Sequence, residues 1–432
     1  MAMLDAVAQN GYRATTVADL ITRAGVSRKA FYTHFANKQE CLLGTAAMVF
    51  AEALRRVEDA YRSGNGRSAS TRDAILAVFQ SATASPGALR VGLVELPAIG
   101  PAGIALREFW LGRFEHLFLD LLEPAPSEAY VPNLALKAIV GGFYRVLYRR
   151  VISGEHAELL ALVPDLVAWA TCYYPTPEGI LTELRRDVPH HAPERGLLEG
   201  GRAPGTLAPH GVLSSRRGLL RGDQNVSARY VAYNQRERIL DAVVNLTAAN
   251  GYADLKVEDI ALEAAVSLHA LYEHFGGKEE AFLVAYEVGH DKGLAIVERA
   301  YAAQSDWRLG VRAGIAALFA FLSSEPAFAH IALIDVLTAT RLTAERSSMG
   351  VGGFAQLLVP GLNETRTQIP PSAVTIEAVA GGIFELCLHY ALRGQIASLS
   401  ELTESATYIA LAPFIGAEQA AQVASEQAPS DC

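Results

Sequence analysis

What this chain lacks narrows it before any motif is read. Its 432 residues hold 4 cysteines, at positions 41, 172, 387 and 432, a spacing that fits neither a disulfide framework nor a metal-ligand set. Cys41, Cys172 and Cys387 fall in apolar helical surroundings, so inert thiols in a reducing compartment are expected, and no cofactor or metal. The chain does not open on a basic segment followed by an apolar core, and it has no uncharged apolar run of about eighteen residues. A soluble, cytoplasmic protein with no membrane partner is predicted. Glycine-rich phosphate loops, clustered metal ligands and paired nucleophile and base are missing, and the pair His190-His191 lies in a proline- and glycine-rich stretch, so an enzyme is not expected. Excess positive charge is absent too: 37 Lys and Arg stand against 46 Asp and Glu, a formal net charge of -9. That excludes nucleic-acid binding over most of the surface and leaves room for a local site. With 51% hydrophobic residues the chain can bury a sizeable core, and its length calls for two domains or more.

Residues 14–40, ATTVADLITRAGVSRKAFYTHFANKQE, read as two short helices, a tight turn and the start of a third. Thr16 with Asp19 three positions on forms a capping box, after which Val17, Leu20 and Ile21 recur at helical spacing. Gly25 supplies the backbone freedom of a sharp turn. Ser27 stands where the next helix needs a cap, ahead of Arg28, Lys29, Ala30, Phe31, Tyr32, Thr33 and His34, which places basic and polar residues at that helix's exposed beginning. Asn37 with Glu40 is a further capping box. It puts Lys38 in the first turn of a third helix, where a surface cation gains nothing from the dipole, and contact with an anion is the expected reason for it.

Gly11-Tyr12, Thr15-Thr16-Val17, Asp19-Leu20-Ile21, Ala24-Gly25-Val26-Ser27, Phe31-Tyr32, His34-Phe35 and Lys38-Gln39-Glu40, in that order, resemble the DNA-binding signature of the tetracycline-repressor-like (TetR) family of bacterial transcription regulators. The resemblance implies an all-α fold whose recognition helix, residues 28–34, enters the major groove by its N-terminal side. It implies that Thr16 and Lys38 touch phosphates and that Tyr32 lies against the DNA backbone. The DNA-contacting set is then Thr16, Ser27, Arg28, Lys29, Tyr32, Thr33, His34 and Lys38, and the partner is double-stranded operator DNA.

The whole unit occurs twice, at a constant offset of 240 residues. Asn10-Gly11-Tyr12 returns as Asn250-Gly251-Tyr252, Val26-Ser27 as Val266-Ser267, and Tyr32, His34, Phe35, Lys38 and Glu40 as Tyr272, His274, Phe275, Lys278 and Glu280. Far downstream Arg72 matches Arg312, Pro86 Pro326, Glu95 Asp335, Gly141-Gly142 Gly381-Gly382 and Gly154 Gly394. Two tandem units are expected, each a three-helix head joined to a helical ligand-binding and dimerisation bundle. The heads are placed at 1–50 and 236–290, the regulatory domains at 51–175 and 291–418, a Pro/Gly/Arg-rich linker at 176–235 and a tail at 419–432. In the first unit helical stretches are expected at 41–62, 71–85, 88–96, 103–122, 131–153 and 156–174, and in the linker one short helix at 180–186. The linker arginines are balanced by acids, so solubility is the expected role of that stretch. The second copy has Arg236 to Leu240 ahead of the shared region, where the first has nothing before Met1; either the start lies upstream or this copy has lost half of its first helix.

The second head departs from the family pattern. Thr15-Thr16 becomes Leu255-Lys256, which removes the capping hydroxyl, and Gly25 becomes Ala265, which is strained if the turn stays left-handed. Arg28 and Lys29 become Leu268 and His269, and Thr33 becomes Glu273. Residues 1–50 hold five Lys and Arg against three acids, whereas 241–290 hold two against nine. An acidic surround repels a polyanion, so Lys256, His269, Tyr272 and Lys278 are weaker candidates for DNA contact. A divergent half-site read by both heads, with Glu273 or His269 at base edges, competes with the asymmetric reading, and so does loss of DNA binding altogether.

The C-terminal halves carry aromatic residues on apolar helices. In proteins that this chain resembles, such helices enclose a small, often hydrophobic effector. Candidate lining residues are Phe79, Glu95, Trp110, Phe114, Tyr144 and Tyr148 in the first copy and Phe319, His330, Asp335, Phe384 and His389 in the second; aromatic stripes at this spacing also serve as ordinary core. Gly141-Gly142 and Gly381-Gly382 interrupt strong helices, which is tolerated where another helix approaches closely. In the family the last two helices of each subunit form a four-helix dimer interface. With two copies in one chain that interface can close internally as a pseudo-dimer, and adjacent operators can still recruit more than one copy. The expected function is a ligand-responsive DNA-binding repressor; the competing one is a ligand-sensing or protein-interaction module without specific DNA binding.

Overall fold

The computed structural model describes residues 1–64, 67–122, 133–173, 228–364 and 370–426. Among them the regular elements are helical and no strand occurs, as the missing period-two pattern predicts. The described residues form two compact units: 1–173 with 358–386 and 405–426, and 228–357 with 387–404. The division cuts across the duplication, because most of the second copy's last helices belong to the unit built by the first copy.

The first unit opens with the head: α1 (Ala2–Ala14), α2 (Val17–Ala24) and α3 (Arg28–His34). Gly11, at φ 74°, breaks α1, and Met3, Leu4, Ala6 and Val7 form its buried face. Asn37 caps the long α4 (Lys38–Ser63) by accepting from the Glu40 backbone N–H. The body follows with α5 (Arg67–Ala84), α6 (Pro86–Arg90), a π-turn (Val91–Glu95), α7 (Pro101–Leu122), α8 (Asn133–Ser153), a 3₁₀ segment (His156–Leu162) and α9 (Val163–Thr171). Pro86 and Pro164 sit in first turns, where a missing N–H costs nothing.

The second unit repeats the plan with α10 (Ala228–Asn250), α11 (Val257–Glu263), α12 (Leu268–His274), α13 (Lys278–Ala302), α14 (Trp307–Ser324), α15 (Pro326–His330), a π-turn (Ile331–Asp335) and α16 (Arg341–Ala355). Residues 228–235, read from sequence as the end of the linker, are the first turns of α10. The remaining linker, the expected helix at 180–186 and Cys432 lie outside the described residues. α17 (Ala373–Leu392) and α18 (Thr403–Ile415) contribute to both units, and α19 (Ala417–Ser425) belongs to the first. By length and composition α17 could cross a membrane, yet 67% of its apolar window is buried against protein.

Within the first unit the glycine pairs do what their cost in helix propensity suggests. A Cβ on Gly141 would stand 2.5 Å from that of Glu385, and one on Gly381 would stand 2.6 Å from that of Arg145. Gly142 approaches the Ala378 carbonyl and Gly382 the Ala138 carbonyl, so that an added Cβ would lie 2.6 Å from either oxygen. Positions 138, 141, 142 and 145 are equivalent to 378, 381, 382 and 385, so these contacts are reciprocal and α8 meets α17 about a local two-fold. Beside them Tyr173 donates its hydroxyl to the Ile409 carbonyl (2.9 Å) and Tyr408 donates to the Tyr173 carbonyl (3.2 Å).

Candidate DNA-binding heads and effector cavity

In the first head, Thr16 Oγ1 accepts from the Asp19 N–H (3.2 Å) while Asp19 Oδ2 accepts from the Thr16 N–H (2.8 Å) and hydroxyl (2.7 Å). These bonds from Thr16 hold the Asp19 carboxyl below its ordinary pKa. Gly25 takes φ 64° at the turn, and Ser27 Oγ accepts from the Ala30 N–H (3.1 Å). α3 hangs on buried Phe31 and leaves Arg28, Lys29, Tyr32, Thr33 and His34 exposed, with the Arg28 guanidinium 5.8 Å from the centre of the Tyr32 ring. Sequence therefore located a cationic, solvent-facing helix beginning.

Lys38 is different from the expectation. Its ammonium donates to the carbonyls of Tyr12 (3.0 Å), Arg13 (3.4 Å) and Thr15 (2.8 Å) and lies 4.3 Å from the Tyr12 ring centre. It closes the end of α1, so its first-turn position is explained by backbone carbonyls and needs no anion. Lys278 does the same for the second head, reaching the carbonyls of Tyr252, Ala253 and Leu255.

The second head keeps the shape and loses the surface. Lys256 occupies the cap position of α11 without a side-chain cap, and Ala265 holds the left-handed turn at φ 53°. Ser267 still caps α12. On its exposed face Leu268 and Tyr272 are 42% and 55% accessible, and the exposed His269 ring lies 3.3 Å from Glu273.

Glu95 and Asp335, expected in the effector pockets, serve elsewhere. Each ends a π-turn and reaches a head: Glu95 accepts from the Tyr12 N–H (3.0 Å) and Asp335 from the Tyr252 N–H (3.2 Å). Each also holds the base five residues earlier, Arg90 at 3.0 Å and His330 at 2.7 Å. The broken end of the first helix frees a backbone donor at the same place in both copies, and a carboxylate from the body satisfies it. His330 thus belongs to this latch as well.

An apolar cavity of about 530 Å³ lies in the first unit between α4, α5, α6, α7 and α8. Phe114 and Tyr144 line it as expected, with Phe50, Ala88, Leu93 and Phe143 among the other walls and Glu52, Arg56 and Ser81 as polar groups. Tyr144 donates to the Leu93 carbonyl (3.0 Å). The other first-copy candidates stand behind the wall: Phe79 packs edge-on against Phe143, Trp110 stacks on Phe50, and Tyr148 stacks on Tyr144. In the second copy Phe319 is fully buried core, Phe384 lies under the Arg145 guanidinium, and His389 contacts Arg393.

In the second unit two rings take up space at the equivalent positions. Phe321 and Phe328 stand where the first copy has Ser81 and Ala88, and Gly289 and Gly293 stand where it has Val49 and Ala53. The two rings, 5.7 Å apart and buried, rest on those glycines, so closely that a Cβ on Gly289 would fall 2.1 Å from Phe328. Looking for aromatics found Phe114 and Tyr144 but not the small residues that leave the space open; comparing side-chain size at the 240-residue offset would have found those.

The sequence model described as bacterial regulatory proteins, tetR family, matches residues 4–45 and again residues 239–285. Among solved structures, the fatty acid degradation regulator FadR from Bacillus halodurans is similar at 16% identity and a TM-score of 0.38, over 41% of this chain and 94% of that one. FadR from Bacillus subtilis, in complex with stearoyl-CoA, is similar at 17% identity and 0.37, over 40% and 96%. A TetR family transcription regulator from Marinobacter aquaeolei VT8 is similar at 18% and 0.33, over 41% and 97%. No curated protein sequence matches significantly.

Proposed function

We propose that the chain, which matches the tetR-family model at both heads, is a cytoplasmic, effector-responsive transcription regulator acting as a repressor, with the first head as the main reader of operator DNA. The observation that carries this is the exposed beginning of α3, where Arg28 and Lys29 present donors from a capped helix, against Leu268 and a His269–Glu273 pair at the same place on α12. Arginine and lysine there can donate to guanine edges, each good contact being worth about 1 to 3 kcal/mol. An acidic second head weakens the phosphate contacts on which any base readout depends.

Two further parts complete the reading. The copies pair within one chain through α8 and α9 against α17 and α18, which supplies the partner at high effective concentration. The effector is a small apolar molecule taken by the first copy alone, since the lining there is apolar and the second copy's space is filled by Phe321 and Phe328. Entry of such a molecule between α4 and α6 would shift the body to which Glu95 ties the head.

The test selects sites from random DNA with the full chain and then measures affinity at two salt concentrations. Arg28→Ala with Lys29→Ala should lose at least about tenfold and lower the salt slope by up to about 2. Leu268→Ala with His269→Ala should lose less than about threefold. Equal losses, together with two differently specified half-sites at helical-turn spacing, would establish the two-headed reading instead.

A further inference from the structure

At the contact of α8 with α17 the two copies carry opposite charge at equivalent positions. Lys137 and Arg145 on α8 correspond to Glu377 and Glu385 on α17. Glu385, 5% exposed, pairs with Arg107 on α7, which is 1% exposed, and lies 3.9 Å from Arg145. Glu377, 10% exposed, takes both oxygens to Arg150 Nη1 at 3.1 Å and lies 3.6 Å from Arg149. Arg107 also meets Glu108 (2.6 Å) and the face of Tyr144 (4.0 Å), and Arg150 has Glu155 at 3.7 Å. Burial alone would lower the pKa of Arg107, but Glu385, the Tyr144 ring and Glu108 together hold it above the usual arginine value. For Glu377 burial wins over its arginines and raises the pKa.

The local two-fold lets the alternative pairing be read directly. If α8 met a second α8, Arg145 would stand where Glu385 stands and Lys137 where Glu377 stands. Arg107 would then face Arg145, and Arg149 and Arg150 would face Lys137, whose partner Glu115 at 2.6 Å offsets only part of that charge; the repulsion is strongest at the buried Arg107. If α17 met a second α17, the positions of Arg107, Arg149 and Arg150 would be held by Ser347, His389 and Tyr390, leaving both carboxylates without an arginine. A buried ion pair adds little net stability over apolar residues, but removing one partner is strongly destabilising, so such pairs discriminate between partners better than they strengthen either one.

We propose that this contact is a charge code that admits the pairing of a basic α8 with an acidic α17 and rejects a second copy of either helix. It rests on the intrachain pairing proposed above and assigns the reason that pairing excludes a like copy. Glu377→Lys with Glu385→Arg gives α17 the residues that α8 carries, which turns the intact chain into its own test of like-with-like pairing. Glu377→Gln with Glu385→Gln removes charge and keeps shape.

The melting temperature should fall from wild type to the Gln pair, and further, by about 5 °C or more, in the Lys/Arg pair. Adding Arg107→Met and Arg150→Met to the Gln pair should recover most of its loss, an outcome that a purely steric role would not give. If the Lys/Arg pair fails to fold, the Gln pair and its rescue decide. A Lys/Arg pair as stable as wild type, equal losses in the Gln and Lys/Arg pairs, or no rescue would overturn the charge code. Gly382→Ala, whose added Cβ would meet only the Ala138 residue of α8, tells the two readings apart: if it destabilises while the charge changes do nothing, the helices pair without a code, and if neither matters the pairing itself is wrong. DNA binding enters none of these readouts.

Discussion

Ala265 holds φ 53° where its counterpart Gly25 holds φ 64°, so one residue position records a strain that the duplicated sequence accepted in a single copy. A Cβ in the left-handed region costs roughly 1 to 2 kcal/mol. Ala265→Gly should therefore stabilise the second head by about 1 kcal/mol, and Gly25→Ala should destabilise the first by a similar amount, read by native-state amide exchange within each head. Asp19 gives a second test at this scale. Its folded pKa is depressed by the bonds from Thr16, so its contribution is present above the unfolded carboxyl value near about 3.9 and is lost as pH falls through the lower folded value. Asp19→Asn should remove that part of the first head's acid sensitivity, and the second head, which lacks a side-chain cap on α11, should not share it. The capping box at Thr16, the caps at Ser27 and Asn37 and the strained turn at 265 were legible from sequence because each depends on residues within four positions of one another; the second box expected at Asn37 is only half formed, since Glu40 accepts from the Ala36 N–H instead. The role of Lys38 was not, because its partners lie 23 to 26 positions away.

Among the helices, α8 shows how closeness is achieved and what it costs. On Gly142 an added Cβ would lie 2.4 Å from the Trp169 ring as well as 2.6 Å from the Ala378 carbonyl, and neither can move freely. Gly142→Ala should cost about 1 to 3 kcal/mol by overpacking. Gly112 in α7 has nothing within 4 Å of its would-be Cβ, and there the same change should stabilise by up to about 1 kcal/mol, since only the entropy of glycine is removed. Chemical denaturation of the two variants side by side separates contact from propensity. The helix spans themselves followed from period and proline placement. The π-turns at Val91–Glu95 and Ile331–Asp335 did not, because a turn widened by one residue leaves no mark on an apolar pattern.

In the whole molecule the two copies differ in both places. The first has the cationic beginning of α3 and the open cavity, and the second has the acidic head and two phenyl rings in the equivalent space. Ser81→Phe with Ala88→Phe would give the first copy the rings of the second. Binding of an apolar probe such as 8-anilinonaphthalene-1-sulfonate should then fall at least about tenfold, while DNA affinity without effector stays within about threefold. Fluorescence titration and a DNA-binding isotherm on the same preparation check both halves of that expectation.

The sequence by itself determined the helical class, the duplication, the place of both heads and the erosion of the second, because these follow from local chemistry repeated at a fixed offset. Tertiary structure decided which groups meet across that offset. It turned Glu95 and Asp335 from expected pocket walls into ties on the Tyr12 and Tyr252 backbone, and it put Glu385 against Arg107, 278 positions away. It also opened one cavity and filled its counterpart. Burial decides each of these outcomes: a carboxylate or a phenyl ring reads the same in a sequence whether it faces a ligand, a backbone donor or an arginine, and only packing fixes which of them it meets.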